Sequence, residues 1–112
     1  MFLNNIATLA RFSPDKMGKS TLAQGKFLFA GLNSFEPGQE HPPHAHEGQD
    51  KLYVVLEGSG TVRVGDQEES LSAGDAAFAP AGVAHSIHNS GTERLVVLAV
   101  LSPPPAKPPD VK

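Results

Sequence analysis

The sequence predicts an all-β protein folded as one small barrel, on three observations. Glycine (11 residues) and proline (10 residues) are spread through the 112 positions and fall between short segments rich in Val, Leu and Phe, as in a chain that turns often between strands. Two of those segments, Leu52-Tyr53-Val54-Val55-Leu56 and Leu95-Val96-Val97-Leu98-Ala99-Val100-Leu101, are apolar at both alternating positions, so both of their faces need cover. The length suits a single domain, large enough to bury a core of its own and too short for a second one.

Taken in chain order, Met1 to Phe12 is mildly apolar but broken by Asn4 and Asn5. It lacks the early positive charge and cleavage site of a secretory leader, and is read as mature protein. Ser13 to Ser20 is a polar connector, with one helical turn expected at Ser13-Pro14. Its Gly18-Lys19-Ser20 lacks the spacer of a phosphate loop. Residues 1–25 are expected to cover either the barrel or a dimer interface. The barrel itself is placed at residues 26–101, with strands at Phe27 to Phe35, Leu52 to Glu57, Thr61 to Val64, Ala76 to Ala79, Val83 to Asn89 and Glu93 to Leu101. Between them lie turn sequences such as Glu36-Pro37-Gly38, Gly58-Ser59-Gly60 and Pro80-Ala81-Gly82. Gly65-Asp66 has the chemistry of a two-residue hairpin loop, and the succession reads as a compact antiparallel meander. Residues 102–112 are proline-rich and expected to be an extended tail. The outer face of the doubly apolar strands calls for the N-terminal segment or a second copy of the chain, and a homodimer is the expectation.

Composition narrows the function. Cysteine is absent, so disulfides and thiolate metal sites are excluded, and a metal would need His, carboxylate, amide or water ligands. The compartment is left open by this, with cytoplasm the expectation. The net charge of −3, without a basic cluster, argues against nucleic acid or an anionic membrane as partner. The longest apolar run, Leu95 to Leu101, is far short of the roughly 20 residues a membrane-spanning helix needs.

The chemistry gathers in two segments. Gly38-Gln39-Glu40-His41-Pro42-Pro43-His44-Ala45-His46 sets two imidazoles at i and i+2. On a strand such a pair shares a face with Cα atoms about 6.5–7 Å apart, within reach of one ion about 2.1 Å from each nitrogen. In the second segment, Gly74 to Asn89, a strand ends in the Pro80-Ala81-Gly82 turn and the next presents His85, with Ile87 and Asn89 on the same alternating face. That face is expected to line the barrel interior.

These segments resemble the paired motifs of the cupin superfamily, in its small single-domain cupin_2 form. The first motif is glycine, five residues, His-x-His, three or four residues, Glu, six residues, glycine; Gly38, His44, His46 and Gly58 match it. The second is glycine, five residues, Pro-x-Gly, two residues, His, three residues, Asn; Gly74, Pro80, Gly82, His85 and Asn89 match every position. The resemblance spans residues 27–101. It implies a double-stranded β-helix, or jelly-roll, barrel with a short N-terminal segment and a Pro-rich C-terminal tail, and a metal site built mainly from His44, His46 and His85.

One departure stands out. Seven positions before Gly58, where the family carries its ligand Glu, this chain has Lys51, and four positions after His46 it has Asp50. An ammonium about 5 Å from a divalent ion costs several kcal/mol even at an effective dielectric of about 20, so Lys51 does not substitute for Glu. Either the loop bends so that Asp50, or less readily Gln49, completes the site, or three histidines and water hold the ion, or the pocket holds no metal. Three imidazoles and an oxygen suit one divalent transition metal ion (Zn, Mn, Fe, Ni or Cu) rather than Ca or Mg. Each imidazole must be neutral to bind, so affinity falls as pH drops through the imidazole range.

Other groups are read more plainly. His41 is out of phase with His44 and His46 and is expected at the surface, and His88 on the outer face. Tyr53 and Glu57 share the face of Lys51 and are the candidate catalytic groups. Phe27, Phe29, Phe35 and Phe78 are assigned to core or pocket wall, and Arg63 to an exposed strand position in preference to an anion anchor. The resemblance implies a metal-dependent enzyme acting on a small polar molecule, by isomerase or epimerase, lyase or dioxygenase chemistry. The alternative is a non-catalytic module that binds a sugar or organic acid, with or without metal; a storage role fits the polar pocket poorly. Fold alone does not choose between them.

Overall fold

The computed structural model describes residues 1–105; the rest of the proline-rich tail, residues 106–112, lies outside the described residues. Among the described residues nine strands form: β1 (Gly18–Gln24), β2 (Phe29–Phe35), β3 (Glu40–His44), β4 (Asp50–Glu57), β5 (Ser59–Val64), β6 (Gln67–Ser72), β7 (Ala76–Ala79), β8 (His85–His88) and β9 (Leu95–Ser102). They pair antiparallel into a five-stranded sheet, β1-β2-β9-β4-β7, and a four-stranded sheet, β3-β8-β5-β6. The two sheets face each other as a jelly-roll, or double-stranded β-helix, barrel. Among the described residues, no helix is long and apolar enough to cross a membrane.

The meander expected from the turns does not form, because only β1–β2 and β5–β6 are neighbours in both sequence and space. The reason lies in β9. A strand apolar on both faces is covered best in the middle of a sheet, and β9 sits between β2 and β4, both distant in sequence. Its alternating side chains divide between two clusters. Leu95, Val97, Ala99 and Leu101 point inward with Phe35, Tyr53, Val55, Val62 and Ile87. Val96 and Leu98 point outward with Leu22, Leu32 and Leu56, where Ile6, Ala7, Ala10 and Phe12 of the N-terminal segment pack over them.

That segment differs from expectation in two ways. Its one helical turn is a 3-10 turn at Ile6–Leu9 rather than at Ser13-Pro14, where Ile6 and Ala7 reach the outer cluster. Residues 18–24 are strand β1, so the sheet begins before residue 26. Two aromatic assignments are also corrected. Phe27 precedes β2 and is 71% exposed, and Phe78, on the outer side of β7, is 54% exposed; Ala79, one position on in the pleat, is the residue that turns inward. Phe78 lies beside Leu52, which in turn lies beside Val100, leaving an apolar row on the sheet's outer face that the N-terminal segment does not cover.

The motif's Asn and a motif glycine have structural explanations. Asn89 is fully buried, donates from Nδ2 to the carbonyls of Phe35 (3.1 Å) and Glu93 (2.8 Å), and accepts at Oδ1 from the Gly91 N–H (3.1 Å). It ties two turns at one end of the barrel. Gly58 has φ 79°, and a Cβ there would collide with the Arg94 carbonyl, so only glycine fits.

Candidate functional site

His85 opens β8 and lies opposite His44 in the β3–β8 pair, while His46 follows two residues after β3 ends. The rings converge: centroids are 4.2 Å apart for His44–His85, 4.8 Å for His44–His46 and 5.7 Å for His46–His85. One potential ligand atom from each lies within 4.8 Å of the others.

The hydrogen bonds set the tautomers of two of these rings. His44 Nδ1 donates to the Pro42 carbonyl at 2.8 Å and His85 Nδ1 to the Val83 carbonyl at 3.0 Å. A carbonyl can only accept, so both Nδ1 atoms carry the proton and both Nε2 atoms present a lone pair. Those two Nε2 atoms are buried without a hydrogen-bond partner among the described residues. An orienting bond on one ring nitrogen and a free lone pair on the other is the arrangement of a metal-ligating histidine, and the three side chains fit a transition metal ion. Burial keeps the rings neutral, as ligation requires. His85 is pushed down from 6.5 to about 4, chiefly by burial, which the Val83 bond opposes and to which His44, Lys51 and His46 add smaller effects. His44 and His46 are also lowered, chiefly by burial.

The alternative ligands stand elsewhere. β4 alternates, with Lys51, Tyr53 and Val55 buried and Asp50 and Leu52 exposed. Asp50 therefore points away from the histidines and accepts the Ala81 N–H at 3.0 Å on Oδ1. Gln49 Nε2 donates to the Pro103 carbonyl at 3.0 Å. Neither belongs to the group of converging ligand atoms. Glu57 leaves the face of Lys51 because the β4–β9 register slips between Val55 and Glu57. It is exposed and borders a cleft beside Ile6 and Thr8. Tyr53 stays inside, fully buried, its ring 5.8 Å from that of His85 and its hydroxyl unpartnered among the described residues; burial raises its pKa.

Two residues of the site went unread in the sequence. His41, expected at the surface, lines the same cavity as His44 and His46, with its ring centroid 4.0 Å from that of His44. Its Nδ1 is buried and unpartnered among the described residues, and burial followed by His44 and Lys51 pushes its pKa down to about 3. Asn33, on the inner side of β2, lines the cavity as well, and its Nδ2 likewise has no partner among the described residues. The cavity measures about 310 Å³, at the small end of ligand pockets. Phe29, Ala99 and Leu101 give it apolar wall, Lys19 and Lys51 give it cationic wall, and among the described residues no carboxylate lines it. Lys51 is 5% exposed. Its ammonium sits 4.9 Å from the Tyr53 ring centroid, and burial, then Lys19, lowers its pKa to about 8, so it is still protonated at neutral pH. Arg63, by contrast, is exposed and faces Glu68 at 3.8 Å.

Comparison with known proteins agrees with this architecture. The structure of TT1209 from Thermus thermophilus superposes with a TM-score of 0.89 at 41% identity, covering 94% of this chain and 100% of that one. The oxalate-binding protein of Thermotoga maritima is 33% identical over 76% of this chain and 69% of its own length. Auxin-binding protein 1 of Arabidopsis thaliana is 35% identical over 68% of this chain, and this chain spans 42% of that protein. Residues 31–101, which carry the three converging histidines and the turns that present them, match the family described as Cupin domain, Cupin_2, and the chain belongs to it.

Proposed function

We propose that this chain binds one divalent transition metal ion at His44, His46 and His85 and, beside it, a small organic acid. The observation that carries the reading is the pair of buried, unpartnered Nε2 atoms on His44 and His85, each aimed by a carbonyl bond at the opposite ring nitrogen. Buried polar atoms without partners are uncommon in folded proteins and mark places where something else binds. The acid follows from a cavity with two lysines and, among the described residues, no carboxylate in its walls. Relatives described as oxalate-binding and auxin-binding support the same chemical class.

The bound ion would supply Lewis acidity next to the ligand. What the chain itself supplies is orientation by the apolar walls and, deeper in the barrel beside His85, a proton held on the Tyr53 hydroxyl. That unpartnered phenol beside His85 favours catalysis on the acid as a second reading over binding alone. A homodimer formed over the Leu52–Phe78 row is the assembly proposed. The test is calorimetry on Zn- or Mn-loaded protein with oxalate and indole-3-acetate. Saturable one-to-one binding of either supports the reading, and no heat from both contradicts it. Turnover that disappears in Tyr53→Phe, with binding retained, supports the enzymatic version.

A further inference from the structure

We infer that Lys51 is the anion anchor of the cavity, so that the molecule bound there must bring a carboxylate to the buried ammonium. This deepens the proposed function by naming the residue that selects the ligand's charge. The first observation is Lys51 itself: 5% exposed, on the inner face of β4, lining the cavity, and in no ion pair among the described residues. A lysine this buried is nearly always paired. Here the one compensating contact among the described residues is the face of the Tyr53 ring, which attracts a cation but does not neutralise it.

The second observation is independent of charge. Asn33 is 6% exposed and on β2, two strands from β4 in the same sheet. Its amide Nδ2 is buried without an acceptor among the described residues, and the residue lines the same cavity. An ammonium and an amide N–H, both short of acceptors, fit a ligand rich in oxygen acceptors. The surroundings deepen the demand. Lys19 adds a second cation at the wall, and among the described residues no group lining the cavity offers a negative charge. With an ion on the histidines the excess positive charge only grows.

This arrangement makes opposite demands of metal and acid. Removing the ammonium should relieve repulsion on a bound cation and withdraw attraction from a bound anion, whereas a merely structural lysine would move both in one direction or neither. The experiment compares wild type, Lys51→Met and the exposed-charge control Arg63→Met, each loaded with Zn and titrated with oxalate and indole-3-acetate by calorimetry. Zn affinity is measured separately by competition with a chelating dye. Methionine keeps the length and burial of the lysine stem, and circular dichroism checks the fold. The expected result is a loss of at least tenfold in carboxylate affinity in Lys51→Met, with Zn affinity unchanged or tighter and Arg63→Met like wild type. Carboxylate affinity within twofold of wild type in a folded, Zn-loaded Lys51→Met overturns the inference alone. Wild type that binds Zn but neither carboxylate overturns the organic-acid reading as well.

Discussion

His41 and His44 are three residues apart on a strand and still present their rings to the same side, with centroids 4.0 Å apart. An unbroken strand would send residues at odd spacing to opposite faces. The β3–β8 register slips between His41 and His44, and the extra residue of such a bulge resets the alternation. The Pro42-Pro43 pair lies within the slip, on an edge strand where missing N–H donors are tolerated. The bulge thus brings a fourth imidazole to the cluster of His44, His46 and His85.

Acid stability should reflect that crowding. In metal-free protein, His41 and His85 have folded pKa values of about 3 and about 4 against 6.5 when unfolded. Between these limits the unfolded state binds more protons, so stability rises with pH there. It is fully present above 6.5 and lost as pH falls toward 4 and below. Urea unfolding in chelator at pH 7.5, 6, 5 and 4 should show this decline, and His41→Gln should make it shallower. A flat profile from pH 7.5 to 4 would contradict it.

Lys51 and Asp50 should behave oppositely in metal titrations. Lys51 faces the histidines, so Lys51→Glu replaces repulsion with attraction and should tighten Zn or Mn binding at least tenfold, which takes only about 1.4 kcal/mol. Asp50 faces the Ala81 N–H. Asp50→Ala should leave metal affinity within twofold and cost about 1 kcal/mol of stability through the lost hydrogen bond. Strong loss of metal in Asp50→Ala would restore it as a ligand.

Asn89 is a positioning residue for the turns rather than a metal ligand. Asn89→Ala leaves the Phe35 and Glu93 carbonyls and the Gly91 N–H without its side chain, and should destabilise by roughly 2–4 kcal/mol in thermal or denaturant unfolding. Metal affinity of the remaining folded protein should be unchanged.

Assembly is read from the outer face. If the Leu52–Phe78 row is covered by a second copy, wild type sediments as a dimer and Phe78→Asp as a monomer with the same circular dichroism. Wild type that stays monomeric at high concentration contradicts the dimer and leaves the cavity unaffected.

What could be read in the sequence followed burial. β4 and β9 were legible because their runs are apolar at both alternating positions, and His85 because Ile87 and Asn89 keep its phase. Strands β1, β3 and β6 were not among the strands assigned: all three are edge strands of largely polar sequence, and an edge strand need not be apolar on either face. The three histidines of the cluster were legible from spacing, whereas His41 was hidden by a bulge and Asn33 by lying in a strand whose other residues read as core. The side taken by Lys51 follows from the pleat of β4. Its lack of a partner does not, because that depends on which distant carboxylates fail to arrive.

Everything proposed for the cavity depends on His44, His46 and His85 holding one metal ion together. Elemental analysis of wild type and His85→Ala, expressed and dialysed identically and then offered one equivalent of Zn or Mn, addresses this without reference to any organic ligand. About one bound ion per wild-type chain is expected, and a loss of most of it in His85→Ala, with the β-sheet circular dichroism retained because the core already holds β8. Equal metal content in the two proteins, or none in wild type after loading, would contradict it.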